Sequence, residues 1–274
     1  MPVTEYHRPS DMATARRLLA RTRVVTAPLA GGTLLVPELE TRGIEAVVDL
    51  CDLPLHFIEV QRDGLHVGAT TSLAALAADV QVASWAGGLL ARAAAQEGPV
   101  NLLNAATLGG LVAGGEAGSP LRLALLALDA RGVIVAGEGP ARQVPLRAVV
   151  DEPGVHLAGQ LILEVIVPAA TSTASHGLAT VGRTPRDFPI VTAVAVVGGT
   201  SLASLTLGGV TPQPLVLTGL HGFVRHPAGL PAAVDGLLGT QVLVDDFLGS
   251  AGYRRAMAGV LARRAWAEAT GGGA

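Results

Sequence analysis

The sequence predicts an α+β fold in two parts, residues 1–170 and a smaller α/β region over residues 176–270. Three observations predict it. Strand-length apolar runs alternate with Ala- and Leu-rich helical stretches through the first part; the apolar strand "LILEVIVP" ends at Pro168 before a Thr/Ser/Ala stretch of linker composition; and the remainder opens with strand-like runs and closes on one long helix. A length of 274 residues fits one large domain or two ordinary ones. Half the residues are apolar but only 3% are aromatic, so the core is built from Ala, Val, Leu and Ile and packs in small units.

Taken in order, Asp11 to Arg21 reads as a helix with Ser10 or Asp11 as its cap and Met12, Ala15, Leu18 and Leu19 at helical spacing. "RVVTAPL" runs as a strand into "AGGT", and "EAVVDL" is a second β-rich run ending at "CDLP". "FIEVQRDGLHVGA" holds two alternating runs around Arg62-Asp63-Gly64, a hairpin signal. "SLAALAADVQVASWAGGLLARAAAQ", with Ser72 placed as a cap, predicts one or two helices. "PLRLALLALDA" predicts a further helix and "GVIVAGE" a strand. Beyond the linker-like stretch, the second part starts near Gly177 with "GLATVGR", "IVTAVAVVGG" and "ASLTLGGV" as strands. "SAGYRRAMAGVLARRAWAEA" closes it as an amphipathic helix, and "GGGA" reads as a disordered tail.

Several classes of function are set aside. The single Cys51 leaves no internal disulfide and no cysteine pattern for zinc or an iron–sulfur cluster, so such a centre belongs to another chain, and a reducing, cytoplasmic setting is expected. The seven histidines form no spaced ligand pair, and no metal site is expected. The uncharged stretch Val191 to Val224 is broken by Gly198, Gly199, Gly208, Gly209, Pro212 and Pro214, so it reads as strands and no membrane span is expected. All 19 basic residues are arginine and lie dispersed among acids, which argues against nucleic acid as a partner. Arg254, Arg255, Arg263 and Arg264 form a basic stripe on the last helix, with solvation as the default reading and partner docking as the minority one. Asp245-Asp246 reads as helix capping ahead of "FLGSAGYRRA". No nucleophile, base and orienting acid can be assembled, so no catalytic residue is expected.

Two loops carry the chemistry. "LAGGTLLVPEL" (Leu29 to Leu39) and "ATLGGLVAGG" (Ala106 to Gly115) each place a Gly-Gly pair before an apolar run. Glycine adopts positive φ without steric cost, so successive amides can converge into an anion-binding nest, and no Cβ blocks a ligand's approach. A lone Gly-Gly more often makes a tight turn; two in a defined order favour a ligand without naming it.

With "YHRPSDMATARRLL", "AGGTLLVPEL", "VVDL", "GLHVGATTSLAALAAD", "NLLNAATLGG", "PLRLALLALDA", "LILEVIVP", "GRTPRDFPIVTAVAVV", "LGGVTPQPL" and "GSAGYRRAMAGVLARRA", the chain resembles, over nearly its whole length, the FAD-binding (medium) subunits of molybdenum hydroxylases such as carbon monoxide and xanthine dehydrogenases. The resemblance implies an FAD-binding PCMH-type domain of two subdomains over residues 1–170 and a C-terminal domain over residues 176–270. It implies FAD as cofactor, an iron–sulfur small subunit and a molybdenum-cofactor large subunit as partners, and the relay of electrons from the partner clusters to an external acceptor.

Carried over residue by residue, the resemblance implies that Ala30, Gly31, Gly32, Thr33, Leu34 and Leu35 of the first loop, and Thr107, Gly109 and Gly110 of the second, hold the FAD diphosphate. Ser119 and Asp187 match further cofactor positions, although a turn beside Pro189 explains Asp187 equally well. Departures accompany these matches. Leu111 stands where the family's TIGGN has asparagine, Pro120 follows Ser119 where the family commonly has aspartate, and Leu103 and Thr180 replace basic residues. Each removes a polar handle, which predicts weakened flavin affinity and a gain from Leu111→Asn with Pro120→Asp. The competing reading is a flavin-free structural or assembly relative that kept the fold.

Overall fold

The computed structural model describes residues 3–184, 187–199 and 202–271. In chain order the elements are β1 (Glu5–His7), α1 (Met12–Leu19), β2 (Thr26–Leu29), β3 (Ala46–Asp49), β4 (Ile58–Val60), β5 (Gly64–Gly68), α2 (Leu73–Ala78), α3 (Val80–Ser84), α4 (Leu89–Ala94), α5 (Val100–Ala105), α6 (Leu108–Gly114) and α7 (Pro120–Ala127). There follow β6 (Arg131–Ala136), β7 (Arg142–Pro145), α8 (Leu146–Asp151), α9 (Pro153–His156), β8 (Gln160–Pro168), β9 (Ser175–Val181), β10 (Val191–Gly198), β11 (Leu202–Gly208), β12 (Leu215–Leu217), α10 (His221–Arg225), α11 (Leu230–Leu238) and α12 (Ala251–Ala269). The chain divides into two units that interleave in sequence. The first takes the N-terminal region through Ala75, Val100–Gly115 and Ala130–Val167; the second takes Leu76–Pro99, Glu116–Asp129 and everything from Pro168 onward.

The first unit holds two sheets. In the smaller, β3 lies between β1 and β2, parallel to both, and is buried along its length. The Asp11 carboxylate accepts from the Thr14 amide at 2.8 Å and starts α1, whose Ala15 and Leu19 pack with Val48, Leu50, Leu53, Leu55, Val135 and Leu161. The larger sheet has the order β4-β5-β8-β6-β7, and the expected hairpin is β4–β5, closed by a Gln61 amide to Gly64 carbonyl bond of 2.8 Å.

The second unit is a four-stranded antiparallel sheet, β12-β11-β10-β9, covered on both faces. Ala193, Ala195, Leu205 and Leu207 pack with Ala258, Leu261, Ala262, Ala265 and Trp266 of α12. The alternate residues face α7, where the hydroxyls of Ser204 and Thr206 donate to the carbonyls of Ala127 and Leu123 at 2.9 and 3.1 Å. Burial on both faces is why "IVTAVAVV" is apolar at every position but Thr192, whose buried hydroxyl donates to the Gly118 carbonyl at 2.9 Å. Among the described residues no helix is long and apolar enough to cross a membrane.

The structure corrects several expectations. The Ala/Leu-rich stretch after Ser72 forms three short helices: Asp79 caps α3 through the amides of Gln81 and Val82, and Ala86, Gly87 and Gly88 adopt positive φ before α4. The linker-like stretch is partly core, with Thr171 buried and β9 starting already at Ser175. The basic stripe on α12 dissolves: Arg254 is buried, Arg255 pairs with Asp235 at 2.6 Å, and only Arg263 and Arg264 are left exposed. Capping of α12 is shared: Ser250 accepts from the Tyr253 amide, and Asp245 accepts from the Ala251 amide at 3.3 Å as the aspartate pair led one to expect. The tail beyond Gly271 lies outside the described residues.

Candidate functional site

Both glycine loops belong to the first unit, and glycine is what lets them meet. A Cβ on Gly31 would stand 1.7 Å from the Ala105 carbonyl oxygen and 3.3 Å from the Ala106 Cα, so the first loop crosses the backbone just ahead of Thr107. Leu34 reaches the second loop too, its Cδ1 lying 3.6 Å from where a Cβ on Gly114 would be. The first loop therefore meets the second on either side of Thr107, Gly109 and Gly110, at Ala105–Ala106 and at Gly114.

The first loop is a nest in the chemical sense. It leaves β2 after Leu29, Gly32 takes φ +71, and the Val36 amide donates back to the Gly32 carbonyl at 2.9 Å. Among the described residues, the amides of Gly31, Gly32, Thr33, Leu34 and Leu35 find no acceptor. Successive unpaired donors on a turn with a left-handed glycine suit an anion such as a diphosphate, with no need for lysine.

The second loop is built differently. Gly109 donates to the Ala69 carbonyl at 2.8 Å, Leu108 to Thr71 at 2.9 Å, and Gly110 to the Thr107 hydroxyl at 3.3 Å. Its amides are thus engaged within the protein. Gly109 is needed because a Cβ there would lie 2.8 Å from the Ala69 Cβ. A third segment, Ala69 to Ser72, accordingly supports the site: Ser72 and Thr107 form an isolated bridge, and Leu73 donates to Ala106 at 2.9 Å. Sequence reasoning missed this segment, and "GATTS" between a strand and a helix was its only signal.

Ser119 and Asp187 belong to the second unit. Ser119 is fully buried, caps α7 through the Arg122 amide at 3.1 Å, and donates to Glu97 at 2.7 Å. Glu97 also accepts from the Leu121 amide at 2.7 Å, yet burial outweighs both bonds and pushes its carboxyl up to about 7. Asp187 is exposed and closes a turn onto the Thr184 carbonyl.

Of the departures, Pro120 occupies the first position of α7, where its ring suits the helix and a missing N–H costs nothing. It is buried beside Glu97, so an aspartate there adds a second carboxyl to a desolvated one, and the expected gain from Pro120→Asp does not stand. Leu111 is a buried apolar residue of α6, and Thr180 lies on β9 opposite Thr192. Among the described residues no three His, Cys, Asp or Glu side chains converge as metal ligands.

An open run of amides at a left-handed glycine has the chemistry of a backbone site for an anionic cofactor, and comparison with known proteins gives the class of protein. Residues 2–170 match the family described as the FAD binding domain in molybdopterin dehydrogenase, and the chain belongs to that family. It is an FAD-binding oxidoreductase subunit, with FAD as its cofactor. It is 28% identical to the carbon monoxide dehydrogenase medium chain of Afipia carboxidovorans, over 95% of this chain and 94% of that one, and 27% identical to that of Hydrogenophaga pseudoflava, over 96% of each. A solved carbon monoxide dehydrogenase from Hydrogenophaga pseudoflava, lacking the Mo-pyranopterin moiety of its molybdenum cofactor, superposes with a TM-score of 0.86 at 27% identity, covering 100% of this chain and 99% of that one. Quinoline 2-oxidoreductase from Pseudomonas putida 86 shares the fold, with a TM-score of 0.84 at 24% identity over 99% and 98% of the two chains. Nothing in these relatives favours a flavin-free role.

Proposed function

We propose that this chain is the flavin subunit of a multi-subunit molybdenum hydroxylase, with an iron–sulfur small subunit and a molybdenum-cofactor large subunit as its partners. The observation that carries the site is the run of amides from Gly31 to Leu35 without acceptors, which Ala30 leads into and Gly32 turns. These residues hold the diphosphate; Thr107, Gly109 and Gly110 belong to the second loop, which meets the first at Ala105–Ala106 and Gly114. Ser119 acts through α7, since its hydroxyl is already engaged, and Asp187 stands at an exposed turn open to a ligand. When bound, FAD accepts electrons from partner clusters and passes them to an external acceptor; the protein's share is binding, orientation and shielding. That the whole relay needs other chains is supported by the medium-chain relatives, and by a single cysteine, which supplies no cluster ligand set and fits a reducing cytoplasm.

The test is a titration of FAD into the purified chain, followed by flavin fluorescence and absorbance. One FAD per chain is the expected outcome. A preparation that stays colourless after incubation with excess FAD overturns the assignment of this site.

A further inference from the structure

We propose that Thr71 is a positioning residue for the flavin: its buried hydroxyl tethers the segment that sets the second glycine loop and, through that loop, the crossing at Gly31. The proposal rests on the reading that the amides of Gly31 to Leu35 hold the FAD diphosphate, and adds to that site a residue that touches neither glycine pair.

Thr71 belongs to the short connection between β5 and α2, where neither a strand nor a helix fixes the backbone. Its side chain supplies the constraint. Thr71 is fully buried, and its hydroxyl donates to the Phe57 carbonyl at 3.1 Å and accepts from the Phe57 amide at 3.3 Å. One side chain thus closes on both backbone groups of a residue fourteen positions earlier, whereas threonine hydroxyls more often bond their immediate neighbours. The Thr71 amide turns back to the Gly68 carbonyl at 3.1 Å, and the Thr70 amide donates to the Leu55 carbonyl at 3.0 Å.

A segment held this way presents its carbonyls to α6. The first amides of a helix have no acceptor inside it, and here Leu108 donates to the Thr71 carbonyl at 2.9 Å and Gly109 to the Ala69 carbonyl at 2.8 Å. In return the Leu73 amide donates to the Ala106 carbonyl at 2.9 Å. Ala106, Leu108 and Gly109 therefore take their positions from the segment that Thr71 anchors. The first glycine loop lies against the same stretch: beside Gly31 the Ala105 carbonyl oxygen and the Ala106 Cα leave no room for a methyl group. A contact without slack transmits displacement, so a shift at Ala106 reaches Gly31, whose amide begins the open run of donors.

The test compares the purified full chain with Thr71→Val, Thr71→Ser and the control Val144→Ala, a buried residue of β7 outside the three segments of the site. Valine keeps the shape and removes the hydroxyl; serine keeps the hydroxyl. Thr71→Val should bind FAD about tenfold more weakly, and its Leu108 and Gly109 amides should exchange with deuterium at least about tenfold faster. Thr71→Ser should stay within about threefold of the parent, and Val144→Ala should keep parental affinity even as its melting temperature falls. Parental affinity in Thr71→Val overturns the positioning role. So does an equal loss in Thr71→Ser, or a loss in Val144→Ala that tracks its melting temperature. Because coupling between two sites is reciprocal, one readout needs no variant: FAD added to the parent should slow exchange at the Phe57 amide together with Leu108 and Gly109, and a Phe57 amide that does not respond overturns the tether alone. A parent that takes up no FAD overturns the flavin site, and the tether with it.

Discussion

Glu97 is the residue whose chemistry is most altered by its surroundings. Burial raises its carboxyl to about 7 even though Ser119 and Leu121 donate to it, so the folded chain favours the protonated form. The contribution is fully present below the ordinary carboxyl value of 4.5 and is lost as pH rises from there to about 7. Across that window the loss is about 3 kcal/mol. Glu97→Gln keeps an acceptor for both donors and removes the charge, so it should be more stable than the parent at pH 8 by up to about that amount and nearly equal to it at pH 4.5. Urea unfolding of both proteins across pH 4.5 to 8 reads this directly; a difference that does not grow with pH would refute it. His66, between Asp63 at 2.9 Å and Glu164 at 3.0 Å, titrates in the parent and the variant alike and cancels in the comparison. Pro120→Asp, which the sequence resemblance recommends, introduces a buried carboxyl beside Glu97 and should lower the melting temperature without improving FAD affinity.

At the scale of elements, the site is a crossing of two loops, and its spacing is set by the smallest residue. Gly31→Ala puts a methyl 1.7 Å from the Ala105 carbonyl, a backbone group that can yield only by moving the second loop. The expected cost is about 1–3 kcal/mol of stability, together with at least tenfold weaker FAD binding. Gly110→Ala is the contrast: its methyl would meet only the Thr107 hydroxyl, at 3.1 Å, and should leave affinity within a few-fold of the parent. Fluorescence titration ranks the two variants, and equal affinities would show that the crossing does not govern the site.

The whole molecule is less separable than its sequence suggests. The family match ends at residue 170, close to the apparent break at Pro168, yet Leu76–Pro99 and Glu116–Asp129 belong with the chain that follows. All eight residues of α7 are buried, and its carbonyls receive hydroxyl bonds from Ser204 and Thr206 of β11. A fragment of residues 1–170 therefore exposes a helix that is apolar at every position but Arg122, and loses the sheet it covers. It should aggregate, or melt without a cooperative transition, while the full chain melts cooperatively. A soluble fragment with a sharp calorimetric transition would overturn the interleaved division.

The amino-acid sequence by itself determined the α+β class, the strands β2–β6 and β8–β11, the hairpin at Arg62 to Gly64, the α1 and Ser72 caps and the two glycine loops, because each rests on local periodicity or on a backbone preference of a few neighbouring residues; the short strands β1, β7 and β12 carried no such signal. Family resemblance through those same motifs supplied FAD. What only the tertiary structure decided has long-range causes. That the amides of the first loop are open while those of the second are engaged depends on Ala69 and Thr71, about forty residues away in sequence from Gly109 and Leu108. That Arg254 is a buried clamp rather than a solvated charge depends on carbonyls at Ile190 and Gly209. That Glu97 lies desolvated at the start of α7 depends on its being brought to Ser119 and Leu121, more than twenty residues on in sequence. Burial and hydrogen-bond satisfaction are properties of what packs around a residue, and local sequence carries no record of neighbours brought in from another part of the chain.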